Sequence, residues 1–291
     1  MNRLTSQSIR RAFNRASASY DRHAALPAAT RATLLERLDL VAFEPGVVLD
    51  LGAGTGHSTR ALKRRYRKSA VIALDVAHRM LEASAPQLPW WRPFHRICAD
   101  AAQLPLRAGS VDLVYSNLML HWAVDLDAVL REVRRVLSPR GYFTFATLGP
   151  DTLSELRNAW THLDDAPHVH GFLDLHDLGD ALVRCGFSDP VMDVDRYTLT
   201  YPHFTALRGE LKGLGAQNAH QDRARGFSGR TVLKRLERAY ASAQQADGRL
   251  PASCEVVYGQ AWCPGSTPPI RSRRGETVIP LTSLTKRRQP P

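Results

Sequence analysis

The stretch Val47-Val48-Leu49-Asp50-Leu51-Gly52-Ala53-Gly54-Thr55-Gly56 constrains this chain more than any other. An apolar, strand-like run enters a turn with glycine at every second position, and helix-forming residues follow. Glycine lets a backbone turn through positive φ and come close to a ligand, because it carries no Cβ. A strand, such a turn and a helix N-terminus together build the ligand crevice of a doubly wound α/β sheet.

Spacing then selects among the ligands that use this crevice. A dinucleotide fingerprint, G-x-G-x-x-G, needs a third glycine where this chain has His57. The chain instead reads Asp-x-Gly-x-Gly-x-Gly, with Asp50 ahead of the turn. A carboxylate there would repel a pyrophosphate and suits a cationic ligand such as S-adenosylmethionine, which carries an ammonium and a sulfonium. The apolar run Ala70 to Leu74 ends in Asp75, the position from which a carboxylate accepts hydrogen bonds from ribose hydroxyls. Taken alone, Asp75 fits NAD equally well. Next come Ala99-Asp100-Ala101, Leu104-Pro105-Leu106 and the strand-like Ser110 to Asn117, whose Asp112 reads as a strand-entry acid.

These four elements, in this order, resemble the class I S-adenosylmethionine-dependent methyltransferases. The resemblance implies a doubly wound, mostly parallel seven-stranded α/β sheet. It also implies that Gly52, Gly54 and Gly56, with Asp50 ahead of them, serve the methionine moiety, and that Asp75 takes the ribose. Asp100 and Ala101 would frame the adenine, and Asn117 with Leu118 would sit beside the methyl donor.

At 291 residues the chain exceeds the roughly 200 that such a core uses, so further elements are expected. Residues 1–40 read as an N-terminal helical lid, with helices at Ser6 to Arg22 and Ala28 to Leu40. Residues 41–201 read as the cofactor-binding core, 202–252 as a helical insertion over the active site with spacing at Val232, Leu236 and Tyr240, and 253–263 as the last strand. Residues 264–291 read as a basic, flexible tail. Six basic residues against Glu276 give the stretch from Gly265 onward +5 of the chain's +11. Arg3, Arg10, Arg11, Arg15 and Arg22 form a second basic cluster; both clusters suit solubility, or docking to an acidic partner or to nucleic acid.

No run of about eighteen apolar residues could span a membrane, and Met1 to Arg15 has no apolar signal core. A soluble, cytoplasmic protein is therefore expected. Cys98, Cys185, Cys254 and Cys263 lack metal or disulfide spacing and read as reduced buried thiols. His162, His168, His170 and His176 match no zinc template, so no metal is expected. Neither a Gly-x-Ser-x-Gly elbow nor a Walker loop occurs. Ser116-Asn117-Leu118-Met119 is not the Asn/Asp-Pro-Pro-Tyr-type loop of base N-methyltransferases, which argues against a nucleic-acid acceptor.

The flanks speak to the acceptor. Phe13-Asn14-Arg15-Ala16-Ser17-Ala18-Ser19-Tyr20-Asp21-Arg22-His23-Ala24 resembles the opening of the biotin-pathway malonyl-acyl-carrier-protein O-methyltransferases. His121-Trp122, the run Gly149 to Arg157 and Leu211-Lys212-Gly213-Leu214-Gly215-Ala216 are similar to the same family. Pro27 departs from its common pattern. The Thr-Leu-x-Glu-Leu-Arg run and the Tyr-x-x-x-Trp ending are also similar to a mitochondrial complex I assembly factor that hydroxylates an arginine. That protein and a non-catalytic binding module are the alternatives.

The first resemblance implies methylation of the free carboxylate of a malonyl thioester, on acyl carrier protein or coenzyme A, in an early step of biotin synthesis. Such a carboxylate is already ionised at neutral pH, so the site needs no general base. On this reading Tyr20 closes over the cofactor, Arg157 clamps the carboxylate through its planar fork, and Lys212 steers the phosphopantetheine arm or the carrier protein. His121 and Trp122 read first as a buried, hydrogen-bonded core pair, with walling the pocket as the alternative.

Overall fold

In a computed structural model, residues 5–84, 93–164, 166, 168–169, 171–216 and 229–265 are described. Arg3, His170 and the basic tail beyond Gly265 lie outside them.

Seven strands form one sheet: β1 (Val47–Leu51), β2 (Ala70–Asp75), β3 (His95–Cys98), β4 (Val111–Asn117), β5 (Leu137–Leu148), β6 (Ser188–Tyr201) and β7 (Leu250–Trp262). Their spatial order is β3-β2-β1-β4-β5-β7-β6. The first five run parallel, and β7 inserts antiparallel between β5 and β6. The chain builds outward from β1 through β2 to β3, then returns to the other side of β1 with β4. Order reverses between β1 and β4, and the ligand crevice of an open α/β sheet lies at that switch, beyond the strands' C-terminal ends.

Side chains of period two send β1 residues to both faces. Leu49 and Leu51 pack with Val114, Phe143, Val129, Leu130, Val133 and Leu182, burying one face under α6 (Leu126–Val136) and α8 (Leu175–Arg184). Val48 joins Leu113, Tyr115 and Tyr142 on the other face, under α3 (Ala25–Arg37) and α4 (His57–Arg65), which supply Leu26, Leu34 and Leu62, with Leu38 and Tyr66 just past their ends. A short α5 (His78–Ala83) follows β2.

The N-terminal segment divides into three helices, α1 (Ser6–Ala16), α2 (Tyr20–His23) and α3. Pro27 stands in the first turn of α3, where its missing N–H has no intrahelical partner to lose. With Leu34 fully buried against the sheet, α3 is a layer of the core. The helices α9 (Phe204–Gly213) and α10 (Arg230–Tyr240) lie between β6 and β7. Phe204, Leu207, Leu236 and Tyr240 share a separate core with Leu156 and Ala159 of α7 (Ser154–Thr161) and with the outer ends of β6 and β7.

The four cysteines are unpaired, with Cys254 and Cys263 buried and Cys185 half-buried. Cys98 departs from the expected burial and is exposed, because β3 is the edge of the sheet.

Gly259 faces Phe145 across the β5–β7 pair, and a Cβ there would fall 2.2 Å from the ring's Cζ. Gly259→Ala therefore overpacks the centre of the sheet and should cost about 1–3 kcal/mol. The expected result is a lower urea midpoint with an unchanged slope; an unchanged midpoint would show that the ring has room to move.

Candidate active site

Two cavities open at the C-terminal edge of the sheet. The first, of about 300 Å³, is lined by the loops after β1, β2, β3 and β4, and includes Gly52, Gly54, Asp75, Asp100, Ala101 and Asn117. The second, of about 590 Å³, lies under α7, α9 and α10 and is mostly apolar. Phe13, Tyr20, Leu118 and Trp122 line both cavities and form the junction between them. Phe13 meets Trp122 edge to face, with ring centroids 5.3 Å apart.

Gly52, Gly54 and Gly56 all hold positive φ in the turn. Gly52 has φ +79°, and a Cβ there would fall 2.4 Å from Met119 Cγ. Its N–H and that of Ala53 donate to the Leu74 carbonyl at 2.8 and 3.0 Å, which pins the turn to the end of β2. Asp75 Oδ2 accepts from the Gly54 N–H at 2.9 Å and Oδ1 from the Ala77 N–H at 2.8 Å. Burial raises the Asp75 pKa above the ordinary carboxylate range, and the backbone N–H groups pull it part of the way back. Asp100 turns its Oδ1 to the Ala102 N–H at 3.0 Å and, with Ala101, borders the same cavity.

Asn117, at the end of β4, donates from Nδ2 to the Pro27 carbonyl at 3.0 Å. Its Oδ1 is buried and has no hydrogen-bond partner among the described residues. The next residue, Leu118, holds a left-handed φ of 54°, and Leu153 in the wall of the second cavity holds 53°. Such conformations cost a branched residue about 1–3 kcal/mol and concentrate at functional sites.

Asp50 and Gly56 are not among the residues lining either cavity. Asp50 shares its face of β1 with Val48, points into the core with 1 % exposure and accepts a hydrogen bond from the Thr59 hydroxyl of α4. Gly56 lies against Ser84, where a Cβ would fall 2.7 Å from Ser84 Cβ. Asp112 binds the Gly46 and Val47 N–H groups and the Ser138 hydroxyl at the opposite end of the strands, as its strand-entry reading requires.

Burial pushes the Asp50 pKa up to about 7, the Thr59 hydrogen bond pulls it down, and the Asp75 charge adds to the rise. A folded-state pKa raised above the unfolded one means that the native protein binds the extra proton. Stability from this group is therefore full below about pH 4 and falls as pH rises toward 7. Asp50→Asn removes that fall. Its melting temperature should match wild type near pH 4 and exceed it increasingly up to pH 8; parallel profiles would refute the assignment.

The expected acceptor residues are placed unequally. Tyr20 stands at the junction, and burial, Asp75 and Asp21 together hold its phenol far above the usual range, so it remains a proton donor. Lys212 lines the second cavity, exposed on α9 beside Arg208. Arg157 does not reach either cavity: its Nη1 donates to the Pro150 carbonyl at 2.9 Å and its Nη2 to the Thr152 carbonyl at 3.2 Å. Both terminal nitrogens are engaged by the loop's carbonyls, so the fork braces the Pro150–Thr152 turn. His121 lines the second cavity with its Nδ1 3.4 Å from the Thr147 hydroxyl. His168 stacks on Trp160 at 3.4 Å and pairs with Asp164, and His162 bonds the Asn158 carbonyl.

Helical spacing alone did not single out Arg208, although its position four residues before Lys212 puts both on one face of α9. Met119, packed against Gly52, was also missed.

A seven-stranded sheet of this order, with a glycine turn at its switch point, defines the class I methyltransferase fold. Residues 49–145 match a family model described as a methyltransferase domain. Two solved structures share the fold: the YcgJ protein of Bacillus subtilis and a Haemonchus contortus phosphoethanolamine N-methyltransferase in complex with phosphomonomethylethanolamine and S-adenosylhomocysteine. The first gives a TM-score of 0.57 at 17% identity, covering 80% of this chain and 98% of its own. The second gives 0.51 at 18% identity, covering 80% and 52%.

Sequence relatives narrow the class. The malonyl-acyl-carrier-protein O-methyltransferase of Halorhodospira halophila is 46% identical over 97% of this chain and 96% of its own. That of Laribacter hongkongensis is 48% identical over 93% and 94%. The chain belongs to the malonyl-acyl-carrier-protein O-methyltransferase family, and the hydroxylase and binding-module readings are not favoured. No described helix is long and apolar enough to cross a membrane.

Proposed function

We propose that this protein methylates the free carboxylate of a malonyl thioester on acyl carrier protein, with S-adenosylmethionine as donor, in an early step of biotin synthesis. The observation that carries the reading is the junction of Phe13, Tyr20, Leu118 and Trp122 between a polar-ended cofactor cavity and a larger apolar one.

The first cavity's donor set fits S-adenosylmethionine. Asp75 has lone pairs left for two ribose hydroxyls, and Asn117 Oδ1 is a buried acceptor awaiting a donor. Gly52 and Gly54 admit the methionine end beside the open turn, and Asp100 with Ala101 frames the adenine. Gly56 and Asp50 act one layer behind, by shaping that turn. When bound, the cofactor would supply an electrophilic methyl group, its sulfur keeping the S–C electron pair as the methyl passes to a carboxylate oxygen.

The chain's own residues do the rest by positioning. Three of the four junction residues are apolar and exclude water, so two opposite charges disappear in a medium that favours their loss. The Tyr20 hydroxyl lies at this neck and orients the carboxylate by donating to it. Lys212 and Arg208, at the second cavity, attract the phosphopantetheine phosphate and an acidic carrier. Arg157 acts through the loop it braces.

Kinetics with malonyl-, acetyl- and succinyl-carrier protein and with malonyl-coenzyme A test the reading. Fast turnover of malonyl carrier, none of the acetyl form and weaker use of the coenzyme A thioester are expected. Methylation of the acetyl form, or none of the malonyl form with cofactor binding intact, would overturn it.

A further inference from the structure

Tyr20 sits on a helix of four residues, too short to hold its own geometry. Its neighbour Asp21 fastens that helix to the glycine turn. Asp21 Oδ1 accepts from the Thr55 hydroxyl at 2.6 Å, and its Oδ2 faces His57 Nε2 at 3.2 Å. Thr55 is itself fixed from below: its side chain is buried, and its carbonyl accepts from Arg60 Nη1 at 3.0 Å. The Arg60 guanidinium is 4 % exposed, and its Nη2 has no hydrogen-bond partner among the described residues. A buried cation thus lies beneath the turn, and Asp21 is a carboxylate within its field.

The opposite side of the same segment is tied to the acceptor wall. Ser19 Oγ donates to the Gly213 carbonyl of α9 at 3.1 Å. His23 lies so close to Gly213 that a Cβ on that residue would fall 2.1 Å from the imidazole Cδ2. Residues 19–23 therefore bridge the cofactor turn and the insertion helix, with Tyr20 in the span.

We infer that Asp21 is a positioning residue for Tyr20, locking the segment to the Thr55 side of the cofactor turn so that the phenol meets the acceptor at the junction. The inference rests on the proposed role of Tyr20. It requires that the effect of Asp21 pass through that hydroxyl.

A double-mutant cycle reads this directly. Asp21→Ala should lower kcat on malonyl carrier about tenfold to thirtyfold while the acceptor KM stays within about threefold. In a Tyr20→Phe background the same change should cost less than about twofold more, because the group it positions is gone. Asp21→Asn keeps an oxygen for Thr55 and should restore kcat to within about threefold. Thr55→Val removes the same bond from the other side and should give the same kcat loss, so it carries the test where Asp21→Ala folds poorly. In the free protein, amide hydrogen exchange over residues 19–24 should quicken in Asp21→Ala while β1 is unchanged.

Equal losses in the two backgrounds, an unchanged kcat, or unchanged exchange over 19–24 would overturn the inference. If wild type fails to methylate malonyl carrier, the functional reading fails, whereas the exchange measurement still judges the clasp.

Discussion

Tyr20→Phe should lower kcat on malonyl carrier protein about a hundredfold and leave both KM values within about threefold. The size follows from orientation: a displacement of about 1 Å in a reacting group costs roughly that factor. The phenol is the hydroxyl at a neck otherwise made of Phe13, Leu118 and Trp122. Without it the proposed orienting hydroxyl is lost, while the proposed acceptor wall of the apolar cavity and α9 is left in place. Because burial and the Asp75 and Asp21 carboxylates keep the phenol protonated, wild-type kcat should show no loss from Tyr20 ionisation up to pH 9. Steady-state kinetics at saturating donor checks both points, and a variant with kcat within threefold of wild type would remove Tyr20 from the mechanism.

The second large effect falls on the donor. Asp75→Ala should weaken S-adenosylmethionine binding about a hundredfold to a thousandfold, with little change in acceptor KM at saturating cofactor. A hydrogen bond to a charged group contributes about 1.5–3 kcal/mol, and the proposed contact involves two ribose hydroxyls. The carboxylate also receives the Gly54 and Ala77 N–H groups, so its loss loosens the turn that borders the cavity. Asp75→Asn, which keeps the shape and one acceptor, should fall between. Calorimetric titration of the free enzyme gives the Kd; a change below threefold in Asp75→Ala would place the ribose elsewhere.

Much of the fold is legible because it is written locally. The Val47 to Gly56 run, the Ala70 to Asp75 run and the Ser110 to Asn117 run each carry their own strand and turn chemistry, and each proves to be a strand ending at the crevice. The strand β3 is less legible, since His95-Arg96-Ile97-Cys98 is four residues long, lies at the sheet edge and shows no apolar face. The direction of Asp50 is available from period two: it shares the Val48 face, which meets α3 and α4, and it lines neither cavity. Arg157 illustrates the limit. A helix position says where a side chain starts, while the carbonyls of Pro150 and Thr152, brought near by the turn before α7, decide where it ends. The junction joins residues from α1, α2 and the segment after β4, more than ninety positions apart, and no local pattern connects them.

Incubating malonyl carrier protein with the enzyme and S-adenosylmethionine labelled with carbon-13 at the methyl, and following the label by NMR, tests carboxyl methylation most directly. The expected result is a single O-methyl ester resonance on the malonyl terminus, absent with acetyl carrier. Label on carbon, nitrogen or sulfur, or label left on the cofactor while calorimetry shows it bound, would contradict the assignment.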